Sequence, residues 1–272
     1  DLSPSGVFPS KSMIQTDLEE VKKSLLKFAD DKKIEIEKLK DQEKYRREFI
    51  GNIAHELKTP LFTVQGYILT LLDREIDDEE LKKKYLKRTS KGLERLVHIV
   101  RDLDLITAFE SGVKSIEKSK FDLIELIKNV IDLFEMQLKK NNISLSLDGD
   151  QSLTFFVEAD KERIQQVLTN LIINSLKHSV EKGSIEISVN KLNKNKLIVD
   201  VTDNGEGIEE KHLPRIFERF YRIDKTRNRK LGGSGLGLAI VKHIIQAHDE
   251  RVFVESKFGV GSKFSFTLEI AK

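Results

Sequence analysis

No cysteine occurs among the 272 residues. That absence rules out disulfide bonds and thiolate metal sites, and it fits a reducing compartment. Long apolar runs are lacking too: none approaches the roughly 18 residues that cross a bilayer, and no signal peptide is visible. Nor does one sign of charge dominate. Charged residues make up 34% of the chain, yet the net charge is only +2. Such balance describes a solvated helical surface, not the concentrated basic face that nucleic acid requires. What is present suffices for ordinary cores, at 39% hydrophobic residues, and the length suggests about two domains. The chain opens at Asp1 without methionine, and reads as the soluble portion of something longer.

Two of the four prolines fall in residues 1–15 among scattered serines, a composition expected of a flexible lead-in. From Leu18 a helical pattern begins, with Leu18, Val21, Leu25 and Phe28 spaced 3-4-3. It is interrupted at Ala29–Lys33 and resumes in shifted phase at Ile36 and Leu39. The eight-residue step from Phe28 to Ile36 is a slip of the kind that changes supercoil winding. Further on, Ile50, Ile53, Leu57, Leu61, Val64, Ile68 and Leu71 are spaced 3-4-4-3-4-3, a bundle-type helix seam ending near Asp73. A short acidic connection, Ile76-Asp77-Asp78, leads into a second seam of Leu86, Thr89, Leu93, Leu96, Val100 and Leu103, with Ser111-Gly112 as its stop. Two seam-bearing helices joined by a short loop predict an αα-hairpin. One hairpin leaves its apolar stripe half covered, so two copies should pair as a homodimeric four-helix bundle.

His55 is two residues from both Ile53 and Leu57, roughly 200° around the helix, so it points away from the seam. A buried core histidine would need the opposite phase. Thr59, four residues on, shares the outward face, and Pro60 removes the N–H that would bond the Glu56 carbonyl. An exposed imidazole beside a carboxylate and a proline-disturbed turn has the character of a reaction site.

After a charged linker, Lys114–Lys120, the pattern becomes mixed. It predicts a helix over Leu123–Lys140, strands near Ile143–Leu147 and Thr154–Glu158, and a helix capped by Asp160. A hairpin of Ile185–Asn190 and Lys196–Val201 follows, then a helix near Leu236–His248 and strands near Val252–Ser256 and Lys263–Ile270. Interleaving on this scale suggests a two-layer α/β sandwich. Three clusters in it carry chemistry. Asn170, Asn174, Lys177 and His178 form a polar stripe within about 100° of one helix face. An amide oxygen is a hard ligand suited to Mg²⁺, and a lysine beside it suits phosphate; a solvated helix face is the plainer reading. Next, Asp203-Asn204-Gly205-Glu206-Gly207-Ile208 follows directly on a strand. There the glycines allow close backbone approach and Asp203 can accept from an adenine amino group, although a tight turn explains the same glycines. Last, Gly232-Gly233-Ser234-Gly235-Leu236-Gly237-Leu238 opens a helix and offers free N–H groups to phosphate. The stretch Asp224–Lys230 before it, rich in Lys and Arg, would close over a triphosphate as a lid. It is neither a P-loop, since no Gly-Lys-Ser/Thr follows, nor a dinucleotide fingerprint, since no strand leads directly into it.

Phe49–Leu61 resembles the H-box of the bacterial two-component sensor histidine kinases. In the same order, Asn170–Ser179, Asp203–Ile208, Phe217–Arg222 and Gly232–Leu238 resemble the N, G1, F and G2 boxes of that family's ATP-binding domain, and Gly259-Val260-Gly261-Ser262 its terminal glycine turn. One departure is His248-Asp249-Glu250-Arg251, where the family commonly has a His-Gly-Gly turn. Thr16–Phe28 is similar to the second helix of a HAMP linker, and a plain signalling coiled coil fits the same spacing. The resemblance implies an organisation: 1–44 as lead-in and signalling helix, 45–112 as dimerisation and phosphotransfer domain, 113–119 as linker, and 120–272 as ATP-binding domain. It implies ATP and Mg²⁺ as cofactors, Asn174 as the Mg²⁺ ligand, and Asn170, Lys177, His178 and the lid on phosphates. Tyr221 and Arg222 would lie near the ribose or phosphates, and Asp203 and Gly207 would read adenine, with Gly205, Ile208, Gly233, Gly235, Leu236, Gly237 and Leu238 completing the pocket. His55 would take the γ-phosphoryl group as neutral imidazole, with Glu56 as base or orienting the ring, and pass it to an aspartate of a response-regulator receiver domain. Glu56-Leu57-Lys58-Thr59 is similar to the family's Glu-x-x-Thr phosphatase element, although Thr59 also simply precedes Pro60. No nucleic acid is expected as partner. Any membrane contact would come through a segment absent from this chain, the cytoplasmic portion of an inner-membrane sensor. The related topoisomerase and mismatch-repair ATPases share the ATP domain but lack the two-helix H-box.

Overall fold

The computed structural model describes residues 11–73, 78–110, 116–149, 154–223 and 234–271. It divides between His55 and Glu56 into two units. The first is built on helix α1 (Lys11–Asp73) as far as His55. This helix is already formed at Lys11, inside the stretch expected to be a lead-in, because both early prolines, Pro4 and Pro9, precede its first turn. It also runs unbroken through Ala29–Lys33, where the apolar pattern is interrupted. A phase slip moves the apolar face around the helix but leaves the backbone hydrogen bonds intact, and the Asp and Lys residues there do not break a helix. Ion pairs one turn apart, Lys32–Glu35 and Arg47–Glu43, each at 2.5 Å, lie along it.

The second unit takes the remainder of α1, which continues through Pro60, and helix α2 (Glu79–Glu110). Asp78 caps α2: its Oδ1 accepts from the N–H groups of Glu80 at 2.9 Å and Leu81 at 3.1 Å. The two helices meet closely at Gly92, where a Cβ would stand 2.6 Å from Val64 Cγ2. Below it Tyr67 and Tyr85 stack at 5.2 Å, and Arg88 donates to the Tyr67 hydroxyl at 2.7 Å. Half of the predicted seam stays exposed, Leu61, Leu86 and Leu93 each by more than 50%. Among the described residues of α2 the buried side chains are instead Ile99, Leu105 and Ile106, off the predicted seam; Leu105 and Ile106 join the core of the α/β region. Among the described residues no helix is long and apolar enough to cross a membrane.

That region runs β1 (Ser119–Asp122), α3 (Leu123–Asn141), β2 (Ser144–Leu147), β3 (Phe156–Ala159), α4 (Lys161–His178), β4 (Ser184–Lys191), β5 (Lys196–Asp203), a 3-10 turn (Glu210–Arg215), α5 (Gly237–Ala247), β6 (Val252–Lys257) and β7 (Gly261–Glu269). Strand β1 lies where the sequence reads as linker, and pairs antiparallel with β3. The main sheet has the order β2-β4-β5-β7-β6, and among the described residues only β2 and β4 pair in parallel. Alternation along β5 buries Leu197, Val199 and Val201, which sit opposite Leu268, Phe266 and Phe264 of β7. Against this face pack Ile164, Val167, Leu168 and Leu171 of α4 and Ile240, Val241, Ile244 and Ile245 of α5. Burying each such side chain contributes about 1.5–3 kcal/mol. The sheet ends and helix termini that this packing lines up form the rim of the site.

Candidate functional site

The apolar arc that buries α4 leaves its polar stripe facing a cavity of about 870 Å³, and Asn170, Asn174, Lys177 and His178 all line it. Asp160 starts the helix by accepting from the Arg163 N–H at 3.1 Å. Asn170 carries a specific imbalance: its buried Nδ2 has no hydrogen-bond partner among the described residues. A buried donor without a partner costs about 1–3 kcal/mol, so a ligand oxygen supplied to it is favourable. Burial is the largest influence pushing the Lys177 ammonium below its usual range; the nearby charges of Arg222 and Arg95 add to it, and Asp102 opposes. His178 is also lowered, first by burial, and its ring is held toward the neutral form.

Asp203 closes β5 at the cavity floor and is buried. Its Oδ2 accepts from Ser175 Oγ and its Oδ1 from the Gly205 N–H, both at 2.9 Å. The turn after it is pinned by backbone bonds from Glu206 N–H to the His178 carbonyl at 3.0 Å and from Gly259 N–H to the Glu206 carbonyl at 2.7 Å. Gly207 (φ 68°) and Ile208 line the cavity, and a Cβ on Gly207 would stand 2.0 Å from the Lys257 carbonyl oxygen. Gly205 sits behind the wall, where a Cβ would meet the His178 carbonyl at 2.4 Å. Close backbone approach, foreseen here for a ligand, is thus first required by neighbouring strands and turns.

Opposite, Gly235, Gly237 and Leu238 line the cavity at the start of α5, with Leu236 buried beneath. The Gly235 carbonyl accepts from the Phe220 N–H at 2.9 Å, tying the glycine loop to the segment that carries Tyr221 and Arg222. Tyr221 is fixed by His212 Nδ1 at 2.7 Å from its hydroxyl and by the Arg215 guanidinium 4.4 Å over its ring. Gly233 and the expected Asp224–Lys230 lid lie outside the described residues. On α1, His55 and Thr59 are exposed, and the Thr59 carbonyl accepts from Thr63 Oγ1 at 2.9 Å.

Sequence reasoning missed the contribution of α2. Arg95, His98 and Asp102 line the same cavity, and Glu56 on α1 pairs with both Arg95 and Arg222. A signal was present: Ile99, Asp102 and Ile106 recur at 3-4 spacing, a second stripe beside the hairpin seam. Burial raises the Asp102 carboxyl to about 6, against the opposing charges of His98 and Lys177. At His248-Asp249-Glu250 the turn survives without glycine: Asp249 adopts φ 62°. Glu250 is buried and accepts from Lys196 Nζ at 2.7 Å and from Thr267 Oγ1. His248 donates from Nδ1 to the Ile244 carbonyl and accepts at Nε2 from the Asp160 N–H.

Two family models match the chain: His Kinase A (phospho-acceptor) domain over residues 45–112, and Histidine kinase-, DNA gyrase B-, and HSP90-like ATPase over residues 159–272. Sensor histidine kinase WalK of Bacillus subtilis (strain 168) is 37% identical over 229 residues, which is 84% of this chain but only 37% of WalK. The chain therefore spans little more than a third of that relative's length. Among solved structures, the histidine kinase AdeS of Acinetobacter baumannii aligns with a TM-score of 0.63 at 28% identity, over 80% of this chain and 97% of AdeS. The histidine kinase ThkA, solved in complex with the response regulator protein TrrA, aligns with a TM-score of 0.62 at 28% identity, over 86% of this chain and 66% of the other.

Proposed function

The chain belongs to the bacterial two-component sensor histidine kinases, and from that premise we propose that it phosphorylates its own His55 with ATP and passes the phosphoryl group to an aspartate of a response regulator. The observation that carries this reading is the single cavity shared by the polar stripe of α4, Asp203 and the glycine-led start of α5. Each part has a fitting task. Asp203 has a lone pair left on each oxygen after Ser175 and Gly205 are served, and accepts from the adenine amino group. Asn170 Nδ2, Lys177 and Arg222 meet phosphate oxygens, as do the N–H groups at the start of α5. His178 acts there as a neutral donor, and Tyr221 flanks the ribose. Gly207, Ile208, Gly235 and Leu238 line the nucleotide, while Gly205 and Leu236 support the wall.

Among the described residues no three His, Cys, Asp or Glu gather as a metal cage. A Mg²⁺ at Asn174 would take its other ligands from phosphate oxygens and water, the usual Mg²⁺ mode. When bound it would neutralise charge on the triphosphate. His55 attacks in line, so that an N–P bond forms as the bond from the γ-phosphorus to the β–γ bridging oxygen breaks and ADP departs. Glu56, its chain neighbour, orients the ring or takes its proton. The phosphoryl group then moves to the receiver aspartate, as the assembly of ThkA with a response regulator supports.

The exposed seam supports a homodimer through residues 45–112, with 1–44 delivering the signal, 113–119 linking and 120–272 binding ATP. The chain would be the cytoplasmic portion of an inner-membrane sensor. Incubation with Mg²⁺ and γ-labelled ATP should leave acid-labile, base-stable label on His55. Label that persists in His55→Gln would overturn the assignment.

A further inference from the structure

Glu56 lies between two cations of the second unit. Arg95 of α2 donates from Nη2 to Oε2 at 3.1 Å, while Nη1 of Arg222 stands 3.6 Å from Oε1. The side chains of Glu56, Arg95 and Arg222 are only 17%, 35% and 12% exposed, so solvent and salt screen these pairs less than a surface bridge. The two arginines differ in what else they serve. Arg222 belongs to the segment beside the glycine loop, where phosphate oxygens would compete for its guanidinium. Arg95 reaches Glu56 across the helical hairpin itself, from one helix to the other, and is the closer partner. Lose Arg95, and Glu56 is left to follow Arg222 wherever nucleotide draws it.

We infer that Arg95 is a positioning residue for phosphoryl transfer: it holds Glu56, the chain neighbour of His55, while Arg222 exchanges Glu56 for nucleotide phosphates. This rests on the roles proposed above for His55 and Glu56. A guanidinium suits the task because it stays charged at any working pH and its planar fork loses little freedom per hydrogen bond. The benefit is orientation, since misplacing a catalytic group by about 1 Å can cost a hundredfold in rate.

The test compares Arg95→Ala, Arg95→Lys, Glu56→Gln and the double variant as full chains, following His55 labelling against ATP concentration. Arg95→Ala should slow labelling at saturating ATP about tenfold or more, while KM for ATP moves less than about twofold. Arg95→Lys should recover most of the rate. In the Glu56→Gln background the alanine change should cost little further, since two residues acting as one unit are not additive. A parallel rise in KM would make Arg95 a phosphate ligand and overturn the inference. So would equal losses in both backgrounds, or faster labelling in Arg95→Ala, which would mark the pair as a restraint. Normal labelling of the wild type with an unaltered Arg95→Ala rate sinks this inference alone; a wild type that never labels sinks the kinase reading and this inference with it.

Discussion

At Asp203 both carboxylate oxygens accept from the protein's own donors, Ser175 Oγ and the Gly205 N–H. An amide in its place turns one acceptor into a donor that faces another donor, so Asp203→Asn should disturb the floor as well as the adenine contact. The expected loss in nucleotide affinity is about tenfold or more, roughly 1.4 kcal/mol. Calorimetry finding equal ATP affinity in the variant would remove Asp203 from nucleotide recognition. Thr59 poses a different question, since it is exposed and its hydroxyl could position a water against a phosphoaspartate. Thr59→Ala should keep His55 labelling within about twofold and lose most dephosphorylation of the phosphorylated regulator. Parallel loss of both activities would point to a damaged helix at Pro60, not to a role for the hydroxyl.

Among the elements, glycine positions separate what ligand binding demands from what packing demands. Gly207 combines φ 68° with a Cβ position 2.0 Å from the Lys257 carbonyl. Gly207→Ala should therefore destabilise the fold by about 2–4 kcal/mol whether or not nucleotide is present. Urea unfolding without nucleotide would check it, and unchanged stability there would mean that the turn adjusts freely. Such positions explain the limits of legibility. The polar stripe of α4 could be read because helix periodicity is local, and so could the Asp160 cap and the β4–β5 hairpin. Strand β1 could not, because Ser119–Asp122 holds its place through long-range pairing with β3. Its four residues are too short for a period. Continuity of α1 through Ala29–Lys33 was hidden for the opposite reason: the apolar pattern reports the face a helix buries, not whether its backbone continues.

At the scale of the molecule, the part of the site that sequence did not disclose comes from α2 serving two surfaces. Tyr85, Arg88, Gly92 and Arg95 meet α1, and a second stripe buries Ile99 and Ile106 with Asp102 between them, where Lys177 of α4 and His98 of α2 itself act on its carboxyl. Burial raises that carboxyl to about 6, whereas the unfolded chain returns it to its ordinary value near 3.8. Between those values the folded protein holds a proton that the unfolded chain releases. Stability therefore falls as pH rises through this window, and above about pH 6 the full cost of the buried charge is present. Asp102→Asn removes that cost. At about pH 7.5 the variant should unfold a few degrees above the wild type, and the gap should narrow as pH drops through 6 and close near 4. His178, His243 and His248, all lowered chiefly by burial, instead weaken both proteins as pH falls below the ordinary imidazole range, and so cancel in the difference. Scanning calorimetry of the pair at several pH values reads that difference directly. A gap that stays constant with pH would mean that Asp102 titrates normally and that the second stripe of α2 holds no buried charge.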